Sequence, residues 1–244
     1  FENAAGYKRI GEASPSYLSS IDAPRNIKTY QPDARIVIIL RQPVDFMFSH
    51  HRQWISTYNE DIIDFEAALD TEPDRASGKR VPKKSHFPAG LEYRKQADFA
   101  TQIERYFEVF GKDNVHVTLL DDYRQAPTQA HAKLLEFLGL DADPSKMPDF
   151  AVVNAGSDKD LRNFAIRRLL KNIDTLRRVI GIIPAKLRGF IGQTATSVTG
   201  SQVDAKKPID PDLRRRLTEE FEPQIKRLAT LIDRDLTHWL NSKP

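Results

Sequence analysis

Residues 33 to 51, "DARIVIILRQPVDFMFSHH", decide the fold. Ile36 to Leu40 are five consecutive apolar residues, four of them β-branched, set between polar neighbours. That length and content are those of a strand, and the unbroken apolarity is that of a strand covered on both faces, as in a parallel sheet. Arg41 ends the run. Pro43 carries the fixed φ that a first helical turn tolerates, and a helix is predicted from there to about Tyr58. A buried strand passing at once into a helix is the βα unit of an α/β fold.

The rest of the chain repeats this alternation. "NVHVTLL" (114 to 120) reads as a second strand, followed by a helix over "PTQAHAKLLEFLG" (127 to 139) that stops on its own glycine. Apolar residues at 93, 97, 100, 103, 107 and 110 predict a helix ending at Gly111. A short helix is expected over 23 to 32. Further amphipathic helices are expected over 166 to 183 and from Pro211, the last with Leu213, Leu217, Phe221, Ile225, Leu228 and Ile232 on one face. "GEASPSYLSS" (11 to 20) and 190 to 202 read as loops. Residues 70 to 90, rich in Pro, Gly and Lys without periodicity, read as a mobile basic loop. There is no internal repeat, and residues 1 to 244 are expected to form one domain.

Composition bounds the function. With 40% hydrophobic and 29% charged residues the chain has the make-up of a soluble globular protein. No run approaches the roughly 18 apolar residues that span a bilayer, and the first residues do not read as a signal peptide. Absence of cysteine excludes a disulfide framework and thiolate chemistry and fits a reducing, cytoplasmic compartment. The net charge of +3 is uneven: residues 159 to 190 hold nine Lys or Arg against Asp160 and Asp174. A solvated helix face accounts for that cluster, as does a surface for an anionic ligand.

In an open parallel sheet, ligands bind beyond the carboxyl ends of the strands, where helix N-termini point their free N–H groups. Arg41 stands at such an end, and Ser49 lies eight residues further on, in the early turns of the next helix. A guanidinium forks onto phosphate oxygens and a hydroxyl adds a donor, so the pair can clamp an anion. The residues equally allow Arg41 to cap the strand end in an ion pair with Asp45. Adjacent His50 and His51 project about 100° apart on a helix and do not chelate one ion together, so no metal is expected.

Three blocks in order, "GEASPSYL", then "PDARIVIILRQPVDFMFSHH", then "GLEYRKQ" with "YFEVFGKDNVHVTLLDDYRQAP" and "LLEFLGL", resemble the sulfotransferase domain family, in the branch of the heparan sulfate enzymes and many bacterial homologues. The resemblance runs over residues 9 to 140 and more weakly over the final "DLTHWL". It implies a three-layer fold related to nucleotide kinases, with a central parallel sheet flanked by helices. It also implies a donor, 3′-phosphoadenosine 5′-phosphosulfate, as co-substrate. The arginine and serine of the family's second block hold the donor's 3′-phosphate, which carries over to Arg41 and Ser49. Lys159 and Arg162 stand in "NAGSDKDLR", where a basic loop closes over that phosphate in relatives; a solvated helix start is the plainer reading. Glu12, Ala13 and Ser14 occupy the acceptor side of the first block, although Glu12 can instead anchor its loop through backbone N–H groups. Asp121 and Asp122 match an acidic pair read as structural.

The pattern also departs from the family. Phe46 replaces a second arginine, His51 a tyrosine, and Ala13 the lysine that faces the acceptor in heparan sulfate enzymes. A Lys-x-Gly-Thr-Thr loop for the 5′-phosphosulfate and the catalytic base after it are not found. "GYKRIGE" (6 to 12) has glutamate where a phosphate loop needs lysine. The expectation is therefore a domain without its N-terminal strand and loop, with the base upstream of residue 1 and residues 1 to 244 inactive by themselves. The expected acceptor is a carbohydrate or small metabolite hydroxyl, with no nucleic acid partner. A nucleotide-kinase-like phosphotransferase and a non-catalytic nucleotide-binding remnant are the alternatives.

Overall fold

A computed structural model describes residues 4–143, 150 and 208–241. The expected helix over 166 to 183, the loop over 190 to 202, and Lys159 and Arg162 lie outside the described residues. The chain divides into two compact units. One comprises Phe1–Phe48, Glu92–Val153 and Asp210–Pro244, the other Ser49–Leu91 and Asn154–Ile209.

The first unit holds the sheet. Strands β1 (Ile36–Leu40) and β2 (Val115–Leu119) pair in parallel with Leu40 opposite Leu119, so both chains leave the sheet at one edge. The predicted strands and their direction are present, and the fold is α/β. One expectation fails: β1 is not covered on both faces. Ile38 and Leu40 are buried, but Val37 and Ile39 are 38% and 55% exposed. The alternation is that of a strand with one packed face.

Helix α1 (Ala23–Tyr30) precedes β1, and α2 (Pro43–Ser56) follows it. In the 93 to 110 seam the structure has two helices where one is predicted: α5 (Tyr93–Gln96) and α6 (Phe99–Phe110). Asp98 separates them because its side chain accepts a hydrogen bond from Thr101 N–H and starts α6 afresh. Gly111 ends α6 at φ 77°, a conformation open to glycine. After β2 come α7 (Leu120–Gln125), absent from the sequence reading, and α8 (Pro127–Leu138), closed by left-handed Gly139. Helix α9 (Pro211–Ile232) and the short α10 (Thr237–Leu240) complete the unit. Leu213, Leu217, Phe221, Ile225 and Leu228 of α9 are all buried, as their spacing predicts.

In the second unit, α2 continues from Ser49, and α3 (Phe65–Asp70) and α4 (Glu72–Ala76) follow. Helix α4 corrects the reading of 70 to 90 as a mobile loop. Arg75 is buried there and forks onto Glu60, Nη1 to Oε2 and Nη2 to Oε1 at 2.7 Å each. Glu60 Oε1 also accepts the N–H groups of Asp61 and Ile62 at 2.8 Å. Among the described residues no helix is long and apolar enough to cross a membrane.

Candidate active site

The site is built where β1 and β2 end. Leaving the sheet side by side, they deliver Arg41 and Asp121 to one edge, with α2 and α7 starting there. Gln42, 4% exposed, caps α2: its Oε1 accepts Asp45 N–H at 2.7 Å, and its Nε2 donates to the Trp239 carbonyl at 3.4 Å. Cap and C-terminal segment thereby fix the turn that carries Arg41.

The ion pair of Arg41 with Asp45 does not form. Asp45 Oδ1 is held instead by Arg214 Nη2 of α9, at 2.6 Å. Arg41 Nε is buried and has no hydrogen-bond partner among the described residues. Burial lowers the Arg41 pKa from its ordinary value; Asp45 and Asp121 act to raise it, Arg124 and Arg214 to lower it. A guanidinium remains protonated under any of these influences. The edge thus presents a fixed positive charge at a position where anions bind in parallel sheets.

Both carboxylates of the acidic pair are committed to structure. Asp121 receives Arg124 on Oδ1 at 3.2 Å and Trp239 Nε1 on Oδ2 at 2.9 Å, with His238 Nε2 at 3.4 Å. Asp122 receives Leu119 N–H at 2.9 Å, Thr118 Oγ1 at 3.2 Å, and both Arg234 nitrogens at 2.8 and 3.2 Å. Burial alone would raise the Asp122 pKa, but Arg234, Leu119 and Thr118 outweigh it and hold the carboxyl below its usual range.

The first-block loop is strapped to α6. Arg105 Nη2 donates to the carbonyls of Leu18 and Ser19 at 3.3 Å each, and Tyr106 hydroxyl donates to that of Tyr17 at 2.8 Å. Burial pushes the Tyr106 phenol up to about 12. Glu12 and Ala13 are exposed and Ser14 half-buried. Glu12 engages the Tyr17 hydroxyl, which raises the phenol's pKa. The loop is anchored by Arg105 and Tyr106 of α6, and Glu12 meets the Tyr17 hydroxyl.

Ser49 belongs to the second unit, exposed on the second turn of α2. Beside it, His50 Nε2 bonds the Gly90 carbonyl and His51 Nε2 the Ile62 carbonyl, each at 2.9 Å. Each of those nitrogens must carry the proton, since a carbonyl only accepts. Burial lowers both histidine pKa values. Sequence reasoning missed Arg214 and Gln42. Arg214 lies 169 residues from Asp45, and no local pattern announces such a pairing; Gln42 caps α2 although glutamine is not among the residue types that mark a helix start.

The model of the sulfotransferase domain matches residues 9–164. The crystal structure of a sulfotransferase from Alicyclobacillus acidocaldarius superposes with a TM-score of 0.65 at 26% identity, covering 98% of this chain and 70% of that one. No curated protein matches the chain. The matched domain takes in the first-block loop, β1 with Arg41, β2 and the acidic pair Asp121 and Asp122, and the solved relative shares their fold. The chain belongs to the sulfotransferase domain family.

Proposed function

We propose that the protein transfers a sulfuryl group from 3′-phosphoadenosine 5′-phosphosulfate to a hydroxyl of a carbohydrate or small metabolite. In that reaction the acceptor oxygen bonds to sulfur as the bond from sulfur to the phosphate oxygen breaks, and the acceptor proton passes to a base. The chain's own part is to hold the donor and orient the acceptor. Arg41 and Ser49 take the 3′-phosphate, with Lys159 and Arg162 closing over it; Glu12, Ala13 and Ser14 border the acceptor. The two compact units act as one domain. A chain without cysteine suits a reducing compartment, and the proposed one is the cytoplasm.

One observation carries this reading: Arg41 stands at the carboxyl end of β1 with a buried Nε that has no partner among the described residues, while Asp45, in the first turn of α2, is taken by Arg214. A guanidinium kept in a structure without a carboxylate is suited to an anion brought by a ligand. Calorimetry tests it with 3′-phosphoadenosine 5′-phosphate and adenosine 5′-phosphate as ligands. Arg41→Ala should weaken the first by about 2 kcal/mol, roughly 30-fold, and leave the second little changed. Equal affinity of wild type and variant for the 3′-phosphorylated ligand would remove Arg41 from the site.

A further inference from the structure

Arg41 can serve a ligand only while no carboxylate of the protein holds it. Two carboxylates stand close enough for their charge to act on it, Asp45 in the first turn of α2 and Asp121 in the first turn of α7. Asp121 is saturated by Arg124, Trp239 and His238. Asp45 is held by Arg214 alone among the side-chain pairs described, in a contact whose partners are only 28% and 16% exposed. Among the described residues three guanidiniums thus share two carboxylates at this edge, and Arg41 is the one left over.

The placement of Arg214 follows from its helix. Asp210 caps α9, its Oδ1 accepting the N–H groups of Asp212 and Leu213 at 3.0 Å each. Leu213, 5% exposed, anchors the first turn in the core. With cap and anchor set, the next residue, Arg214, is directed at Asp45. If that hold were lost, a half-buried carboxylate would stand beside an unpaired guanidinium four residues before it, and opposite charges in such surroundings associate.

We propose that Arg214 is a positioning residue of the anion site: by holding Asp45 it keeps Arg41 open to the ligand's phosphate. This rests on the reading of Arg41 as the phosphate-binding residue, and the test separates the two. Affinity for 3′-phosphoadenosine 5′-phosphate is measured for wild type, Arg41→Ala, Arg214→Gln, Asp45→Asn and the Asp45→Asn/Arg214→Gln double variant. Arg214→Gln should bind about tenfold more weakly, the scale of coupling between residues in one charged network. The double variant should return to the affinity of Asp45→Asn alone, because an uncharged amide does not capture Arg41. A double variant as weak as Arg214→Gln would show that Arg214 touches the ligand itself and would overturn the proposal. So would an unaffected Arg214→Gln alongside a weakened Arg41→Ala. An unaffected Arg41→Ala refutes the functional reading instead. Thermal melts establish folding. If Arg214→Gln does not fold, Arg214→Lys, which keeps the charge but not the planar guanidinium that reaches Asp45 Oδ1, should show a loss of about threefold that Asp45→Asn abolishes; a loss that persists overturns the proposal in the same way.

Discussion

Phe46 and His51, the two departures from the family pattern in the second block, both lie in packed surroundings. Phe46 meets Phe99 edge-on, ring centroids 5.2 Å apart, and His51 is 2% exposed against Phe65. Phe46 packs its ring against a neighbour, and His51 adds to its packing the hydrogen bond to the Ile62 carbonyl. Gly90 has the opposite task of leaving space. A Cβ there would lie 2.6 Å from Cζ2 and Nε1 of Trp54, far inside contact distance, while the Gly90 carbonyl binds His50. Gly90→Ala should therefore cost about 1–3 kcal/mol by overpacking, read from urea unfolding midpoints. A midpoint equal to wild type would mean that the indole swings aside freely. Nothing in the sequence around Gly90 marks this need, because the indole that imposes it belongs to a helix 36 residues earlier.

At the scale of elements, the reading failed where a long-range pair overrides local composition. "DTEPDRASGK" has the look of a solvated loop, yet Glu72–Ala76 within it is helical, with Arg75 buried in its fork onto Glu60. Removing one partner strands a charge: Arg75→Met should cost about 3–5 kcal/mol. Adding Glu60→Gln should recover part of that loss, since a neutral amide oxygen still accepts the N–H groups of Asp61 and Ile62. Additive losses in the two variants would argue against coupling. Where local signals governed, the reading held. The strand boundaries at Ile36 and Leu40, the proline starts of α2, α8 and α9, and the glycine ends of α6 and α8 all stand as expected. The break at Asp98 obeys the same local logic, but the apolar seam runs straight through it and hides the cap.

For the whole molecule, the shifted groups that titrate between about pH 8 and about pH 3 act in one direction. His50, His51 and His116 all have pKa values lowered by burial, so on acidification the unfolded chain takes up these protons first. Their contribution is complete above the ordinary value of 6.5 and is lost as pH falls below it towards the folded-state values. Asp122 and Asp235 are held below 3.8, so a second loss begins as pH drops through that value. Melting temperatures recorded from about pH 8 to about pH 3 should fall in these two stages. His51→Gln, which keeps a donor for the Ile62 carbonyl, should flatten the first. A flat profile between about pH 7 and 5 would contradict the histidine assignment. Of the candidate site, the sequence displayed the part local in the chain, Arg41 at a strand end before a proline-led helix. It concealed the part assembled by folding: Arg214 on Asp45, and the corner that ties Asp121 to Trp239. The clamp on the first-block loop has a different kind of consequence. Arg105 and Tyr106 hold the main-chain oxygens of Tyr17, Leu18 and Ser19, and those oxygens are the same whatever side chains surround them. Side chains along this loop can accordingly be exchanged over generations without loosening its anchorage, so the surface the loop presents can diverge between relatives while the fastening stays as it is.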